Sequence, residues 1–141
     1  MFKDCRALAL TIILFVSLAI QADAKLLSRA QSESQARGFL QLLDQGLQDE
    51  SWQTMSAAFR SLNERVHWNT RQQVIRISYG PLESRNLKHI SYRKTFSLSP
   101  DGEYIIVQFR SSYQNKAETI ETVVLDCSGV SECTVRHYVI Q

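Results

Sequence analysis

Near Arg85 the apolar periodicity of this chain changes, and no other feature restricts its fold so tightly. Up to that point hydrophobic residues recur at helical spacing. From Ser32 to Leu47 they fall at Ala36, Phe39, Leu40, Leu43 and Leu47, the i, i+3, i+4, i+7 stripe of an amphipathic helix whose last turn Gly46 weakens. Asp49 is placed to cap a second helix, with Trp52, Met55, Ala58 and Phe59 on one side. Ser61 and Glu64 have capping-box spacing for a third, which carries Val66, Trp68, Ile75 and Tyr79 and is stopped by Gly80-Pro81.

Beyond Arg85 the period is two. Ile90, Tyr92, Phe96 and Leu98 alternate with Ser91, Arg93, Thr95 and Ser97, the pattern of a half-buried strand. Ser99-Pro100-Asp101-Gly102 is a turn, since proline presets one dihedral and glycine accepts a left-handed one. It leads into Glu103–Tyr113; Asn115-Lys116 makes the next turn, and Thr119–Asp126 and Thr134–Ile140 complete an antiparallel meander. The expected fold class is α+β: three N-terminal helices packed on a four-stranded antiparallel sheet. Mixed alternation, as at Ile105, Ile106 and Val107, predicts one sheet face covered and the other partly wet.

The first 24 residues have a different composition. Lys3 and Arg6 precede Ala7–Ile20, fourteen residues without a charge, and Gln21-Ala22-Asp23-Ala24 supplies the small residues of an A-x-A cleavage site. A spanning helix needs about 20 apolar residues. The expectation is therefore a cleaved signal peptide over 1–24, a mature α+β domain over 25–141, and a periplasmic or secreted location; an uncleaved anchor is the alternative. Cys5 leaves with the peptide. Setting aside Lys3, Arg6, Asp4 and Asp23 takes the 16 basic and 14 acidic residues to 14 and 12, an unchanged surplus of +2. So small a surplus argues against nucleic acid or an acidic membrane as partner. No repeat, low-complexity tract or linker divides residues 25–141.

Cys127 and Cys133 remain, separated by Ser-Gly-Val-Ser-Glu at the neck of the last hairpin. In an exported chain an even pair reads as a structural disulfide. Two free thiols is the alternative; a zinc site fits less well, because the spacing is wrong and only His137 is near in sequence.

Taken in order, Gly46, Trp52, Ser56, Phe59, Trp68, Arg71, Gly80-Pro81 and Ser84-Arg85, then Pro100–Tyr104, Val107-Gln108-Phe109, Asn115-Lys116, Glu121-Thr122-Val123 and Tyr138-Val139-Ile140, resemble domain-of-unknown-function family 4019, small exported bacterial proteins. The resemblance covers nearly all of residues 25–141. It implies an exported location and a cone-shaped, nuclear-transport-factor-2-like or cystatin-like fold, and adds no function. Where the family commonly has a Gly-Trp turn in the last hairpin, this chain has the Cys127–Cys133 loop.

Signatures of chemistry are few. His67, His89 and His137 are not paired at metal-ligand spacing, and no H-E-x-x-H, G-x-S-x-G, phosphate loop or calcium loop occurs, so neither metal nor cofactor is expected. His137, between Val135 and Val139, reads as a buried or edge histidine. Asp44 and Glu121 are the carboxylates a cone-shaped cavity could use as a base. Glu121 lies among Ile120, Val123 and Val124 and needs a partner if buried, for which Arg71 and Arg85 are candidates. A structural ion pair or an exposed strand face is the preferred reading of this set. Trp52 and Trp68 read as packing. Arg85, Lys88, Arg93, Lys94 and Arg110, with Tyr92 and Tyr113, form a candidate basic face that Glu83, Glu103 and Glu121 dilute.

The reading is thus an exported binding or interaction module, with Arg71, Arg85 and Glu121 as candidate binding residues and a protein partner or small apolar molecule as ligand. The alternatives are a small acid/base enzyme working through Glu121 or Asp44, and an accessory or immunity-type protein that blocks one partner.

Overall fold

Burial at helical spacing sets the first half of the chain. The computed structural model describes residues 29–128 and 132–141, so the segment expected to be a signal peptide and the cleavage expected at Ala24/Lys25 lie outside the described residues. Residues 29–44 are helical (α1), followed by α2 (Gln48–Thr54), α3 (Ala57–Leu62) and α4 (Arg65–Tyr79). Ala36, Phe39, Leu40 and Leu43 of α1 are all buried, as their spacing requires. Residues 32–141 form one compact unit.

Among the described residues four helices stand where three were expected. The expected second helix breaks at Met55, whose backbone turns extended (φ −68°, ψ 146°) and bridges in parallel to Val135. The Ser56 N–H donates to Val135 O at 2.7 Å, and Ser56 Oγ then caps α3 by accepting from Phe59 N at 3.1 Å. Pairing with the sheet satisfies backbone groups that a continuous helix would have bonded internally, and Met55 is buried in the process. Two cap assignments also change. Leu47, not Asp49, stands at the N-cap of α2, and Glu64 at the N-cap of α4 makes no capping hydrogen bond. Ser61 instead donates back to Ala58 O within α3.

The sheet comprises β1 (Leu82–Arg93), β2 (Tyr104–Tyr113), β3 (Lys116–Asp126) and β4 (Thr134–Ile140), antiparallel and in sequence order. Period two puts Ile105, Val107, Phe109, Ser111 and Tyr113 of β2 on one face, opposite Leu125, Val123, Glu121 and Thr119 of β3. Val135 and Tyr138 of β4 continue that face across Leu125 and Val123. With α1, Trp52, Met55, Trp68 and Ile90 these side chains make the core.

β1 starts and ends earlier than its alternation predicts. Phe96 and Leu98 lie outside it, in a loop closed by Gly102 N–H donating to Lys94 O (2.8 Å). Phe96 packs on Tyr104 and His137 (ring centroids 5.8 and 6.0 Å), while Leu98 has a positive φ of 54° and is fully exposed.

At the other end, α4 stops at Gly80 with φ 74°, a conformation that favours glycine. Its end is tied to the β2–β3 turn by Asn115 N to Tyr79 O (2.8 Å) and Gln114 N to Pro81 O (3.0 Å). That anchor fixes where Arg76, one turn back, meets the sheet.

Cys127 and Cys133 are bridged, with Cα atoms 4.2 Å apart. The bridge closes a short loop, so replacing both by serine should cost about 2 kcal/mol in urea unfolding and leave the far-UV spectrum unchanged. An unaltered unfolding midpoint would show the bridge contributes nothing.

A buried charge cluster and an open groove

Glu121 is directed inward by the alternation of β3 and is completely buried. Its carboxylate is fully engaged. Oε2 accepts from Ser111 Oγ at 2.6 Å and from Arg85 Nε at 2.7 Å. Oε1 accepts from the hydroxyls of Tyr113 and Tyr138, both at 2.9 Å, and from the Arg76 guanidinium at 3.4 Å. Arg85 turns its remaining nitrogens on Asp44, Nη1 to Oδ2 at 2.6 Å and Nη2 to Oδ1 at 3.2 Å. Arg76 donates to the hydroxyls of Tyr113 (2.5 Å) and Tyr138 (3.1 Å) and lies 3.7 Å from Asp44. Two carboxylates therefore face two guanidinium groups. Asp44 comes from α1, Arg76 from α4, Arg85 from β1, Ser111 and Tyr113 from β2, Glu121 from β3 and Tyr138 from β4.

The electrostatics follow from this geometry. Burial pushes the Glu121 carboxyl up, but the charge and hydrogen bond of Arg85, the Ser111 hydroxyl and Arg76 outweigh it and hold it below its ordinary value. Burial and the neighbouring Glu121 raise both Tyr113 and Tyr138. Burial, then Arg136 and Arg71, lower His137.

The signs give a stability profile. A depressed Glu121 contributes stability above its unfolded value of 4.5 that is lost as pH falls through the folded value. A depressed His137 acts the same way below 6.5. The raised tyrosines contribute stability that is lost as pH rises above 10. Urea unfolding against pH should show a plateau between roughly 6.5 and 10, a shallow fall below it and a steeper one below 4.5. His137→Asn should remove the shallow limb only; a flat acid side would contradict the assignment.

The acid/base alternative asked that Glu121 border an open cavity with a raised pKa and no arginine in reach. Glu121 has the opposite of each property. Asp44 is held bidentately by Arg85, with its side chain 19% exposed.

Of the sequence candidates, the structure brings together Glu121, Arg85 and Asp44 and leaves Arg71 apart, exposed on α4. The expected basic face is dispersed: Arg85 and Tyr113 are inside the cluster, Lys94 pairs with Glu103, and Lys88, Arg93 and Arg110 are exposed. Arg76, Ser111, Tyr113 and Tyr138 were not singled out for this site. A signal existed for each. Arg76 is four residues past Gln72 and eight past Trp68, on the buried stripe of α4. Ser111 and Tyr113 continue the inward alternation of Val107 and Phe109.

Arg71 belongs to a second feature, a groove of about 610 Å³ between α3–α4 and β4. Phe59, Trp68 and Ile75 line it from the helices, Phe96 and Leu98 from the loop after β1, and residues 136–140 from β4, with Arg71, Gln72, Arg136, Glu64, His67 and His137 among its polar groups. Among the described residues no group of three His, Cys, Asp or Glu side chains is placed to hold a metal ion, and no helix is long and apolar enough to cross a membrane.

The family model described as "Protein of unknown function (DUF4019)" matches residues 35–132. No curated protein and no solved structure matches the chain.

Proposed function

Given that the chain belongs to the DUF4019 family, whose description carries no activity, we propose from its own geometry that it is an exported binding module whose ligand sits in the groove between α4 and β4. The observation that carries this reading is a contrast. Among the described residues the one fully buried acid is saturated by partners, whereas an open groove of small-ligand size, with both apolar and polar walls, borders the sheet. The export half of the proposal rests on the apolar run Ala7–Ile20 and the A-x-A site ahead of Lys25. The bridged cysteines accord with an oxidising compartment. The cone-shaped, nuclear-transport-factor-2-like or cystatin-like assignment belongs to the same proposal, supported by helices on one face of an antiparallel meander.

The test places a photo-crosslinking residue at Leu98, on the groove rim, and in a control at Arg110, exposed on β2. Irradiation in living cells should give a discrete adduct from position 98 and none from 110. Intact mass of the same preparations should begin at Lys25. Absence of any adduct from position 98 overturns the groove as a binding site, and a mass that retains Met1–Ala24 overturns the cleavage.

A further inference from the structure

The hydrogen-bond register of β4 says which of its backbone groups are unused. Ile120 and Gln141 exchange both bonds, N to O at 2.8 and 3.1 Å. In an antiparallel ladder such pairs alternate with pairs that share no bond. Thr122 with Val139 is therefore the next bonded pair, while Glu121 with Ile140 and Val123 with Tyr138 are not bonded across the ladder. The N–H and C=O groups of Tyr138 and Ile140 point away from β3, to the outer edge of the sheet. At the start of the strand that edge is occupied, since Val135 O accepts from Ser56 and Val135 bridges to Met55. Beyond it no described residue pairs with Tyr138 or Ile140 on the outer side.

The groove follows this free edge. It is lined by residues 136–140 in succession, with side chains from both faces of the strand: Tyr138 on the core side, His137 against Phe96 on the other. At the extended rise of about 3.4 Å per residue this stretch runs on the order of 17 Å, enough for four or five residues of a second strand. Two further observations bear on the occupant. Gln72 lines the groove while only 2% exposed, and its buried Oε1 has no hydrogen-bond partner. Arg71 and Arg136 both line the groove without a carboxylate partner among the described residues; Arg136 donates only Nε, to Ser99 Oγ at 3.1 Å. The charge of Arg71 acts on His137, the residue next to Arg136 on the strand. Glu64 is the single acid on the lining, beside His67.

We propose that this groove takes an extended, acidic segment of a partner protein, which adds to the sheet as a fifth strand along Tyr138–Ile140 and sets a carboxylate between Arg71 and Arg136. Main-chain bonds supply the attachment and alternate side chains the selectivity. A second copy of this chain is the wrong occupant, because pairing β4 with itself brings Arg71 and Arg136 against their own kind. The inference rests on the groove being a binding site and names what it binds.

A phage-displayed library of random twelve-residue peptides, panned on the purified protein, supplies the probe. The enriched peptides should alternate apolar residues with Asp or Glu. On binding, the best of them should slow hydrogen exchange at the Tyr138 and Ile140 amides. Arg71→Glu/Arg136→Glu should weaken it tenfold or more by fluorescence anisotropy. Ile140→Pro should do the same with an unchanged far-UV spectrum, since it removes an outward N–H and no ladder bond; if that variant fails to fold, the arginine pair and the exchange measurement decide. A peptide that binds with affinity unmoved by these changes overturns the edge assignment and leaves the groove as a binding module. An absence of acidic enrichment, or a dimer of the free protein abolished by Ile140→Pro, also overturns it. Failure of the Leu98 crosslink is the separate outcome that removes the module itself.

Discussion

Glu121→Gln should lower the unfolding free energy by about 3–5 kcal/mol, the range for breaking a buried ion pair by removing one partner. The substitution keeps shape and removes charge, so the loss is electrostatic and not steric. A glutamine amide has one acceptor where the carboxylate had two. Whichever way it is turned, its NH2 faces a guanidinium, that of Arg85 on one side or Arg76 on the other. Two buried arginines are then left with Asp44 as their only counter-charge. In urea at pH 7 the midpoint should fall with an unchanged slope. Adding Arg76→Gln removes the surplus charge, so the double variant should be less destabilised than the sum of the singles by 1 kcal/mol or more. A single-variant loss under about 1 kcal/mol would mean that the cluster is wet and its pairs are worth no more than surface ones.

Phe109→Ala should cost a similar amount, about 3–5 kcal/mol, by a different route. Phe109 is fully buried, lies directly across the ladder from Glu121, and has the Arg37 guanidinium 4.8 Å above its ring. It separates the apolar end of the inner face from the charged end. Truncation opens a cavity beside the cluster, and a cavity with polar walls takes water. The raised Tyr113 and Tyr138 should then ionise closer to their ordinary value of 10.0. Ultraviolet titration of tyrosinate reads this directly. Destabilisation with an unmoved tyrosine titration would show that Phe109 packs the core without sealing the cluster.

How much of this was legible in the residues follows from the range over which each signal acts. Period and turn chemistry are local, so the helices-then-strands order and the meander could be read from spacing, while the β2–β3 turn falls one residue earlier than expected, at Gln114-Asn115, and β3 starts at Lys116 instead of Thr119. The break at Met55 could not, because its cause is a backbone pairing with Val135 eighty residues away. Phe96 and Leu98 alternate as a strand does, but the loop they belong to is set by Tyr104 and His137. The need of Glu121 for an arginine was legible from burial; which arginine was not. Arg85 and Arg76 are brought to it by β1 and by the anchored end of α4, while Arg71, five residues before Arg76, turns to the groove. The groove depends on helices and sheet leaving one edge uncovered, which no local pattern encodes.

The spread of the cluster over six elements bears on how the molecule comes apart. Peeling β4 away would take the Tyr138 hydroxyl from Glu121 and Arg76, and lifting α4 would take the Arg76 guanidinium from Glu121. Either partial opening leaves Glu121 one partner short while Arg85 and Ser111 still hold it inside, a penalty that disappears only once the rest has also opened. Sub-global openings that release one strand or one helix are therefore disfavoured, and amides of β1, β3 and α4 should exchange at a common rate set by global unfolding. An edge strand such as β4, with no further strand beside it among the described residues, needs an anchor of its own, and the Tyr138 hydroxyl, held by Glu121 and Arg76, supplies one.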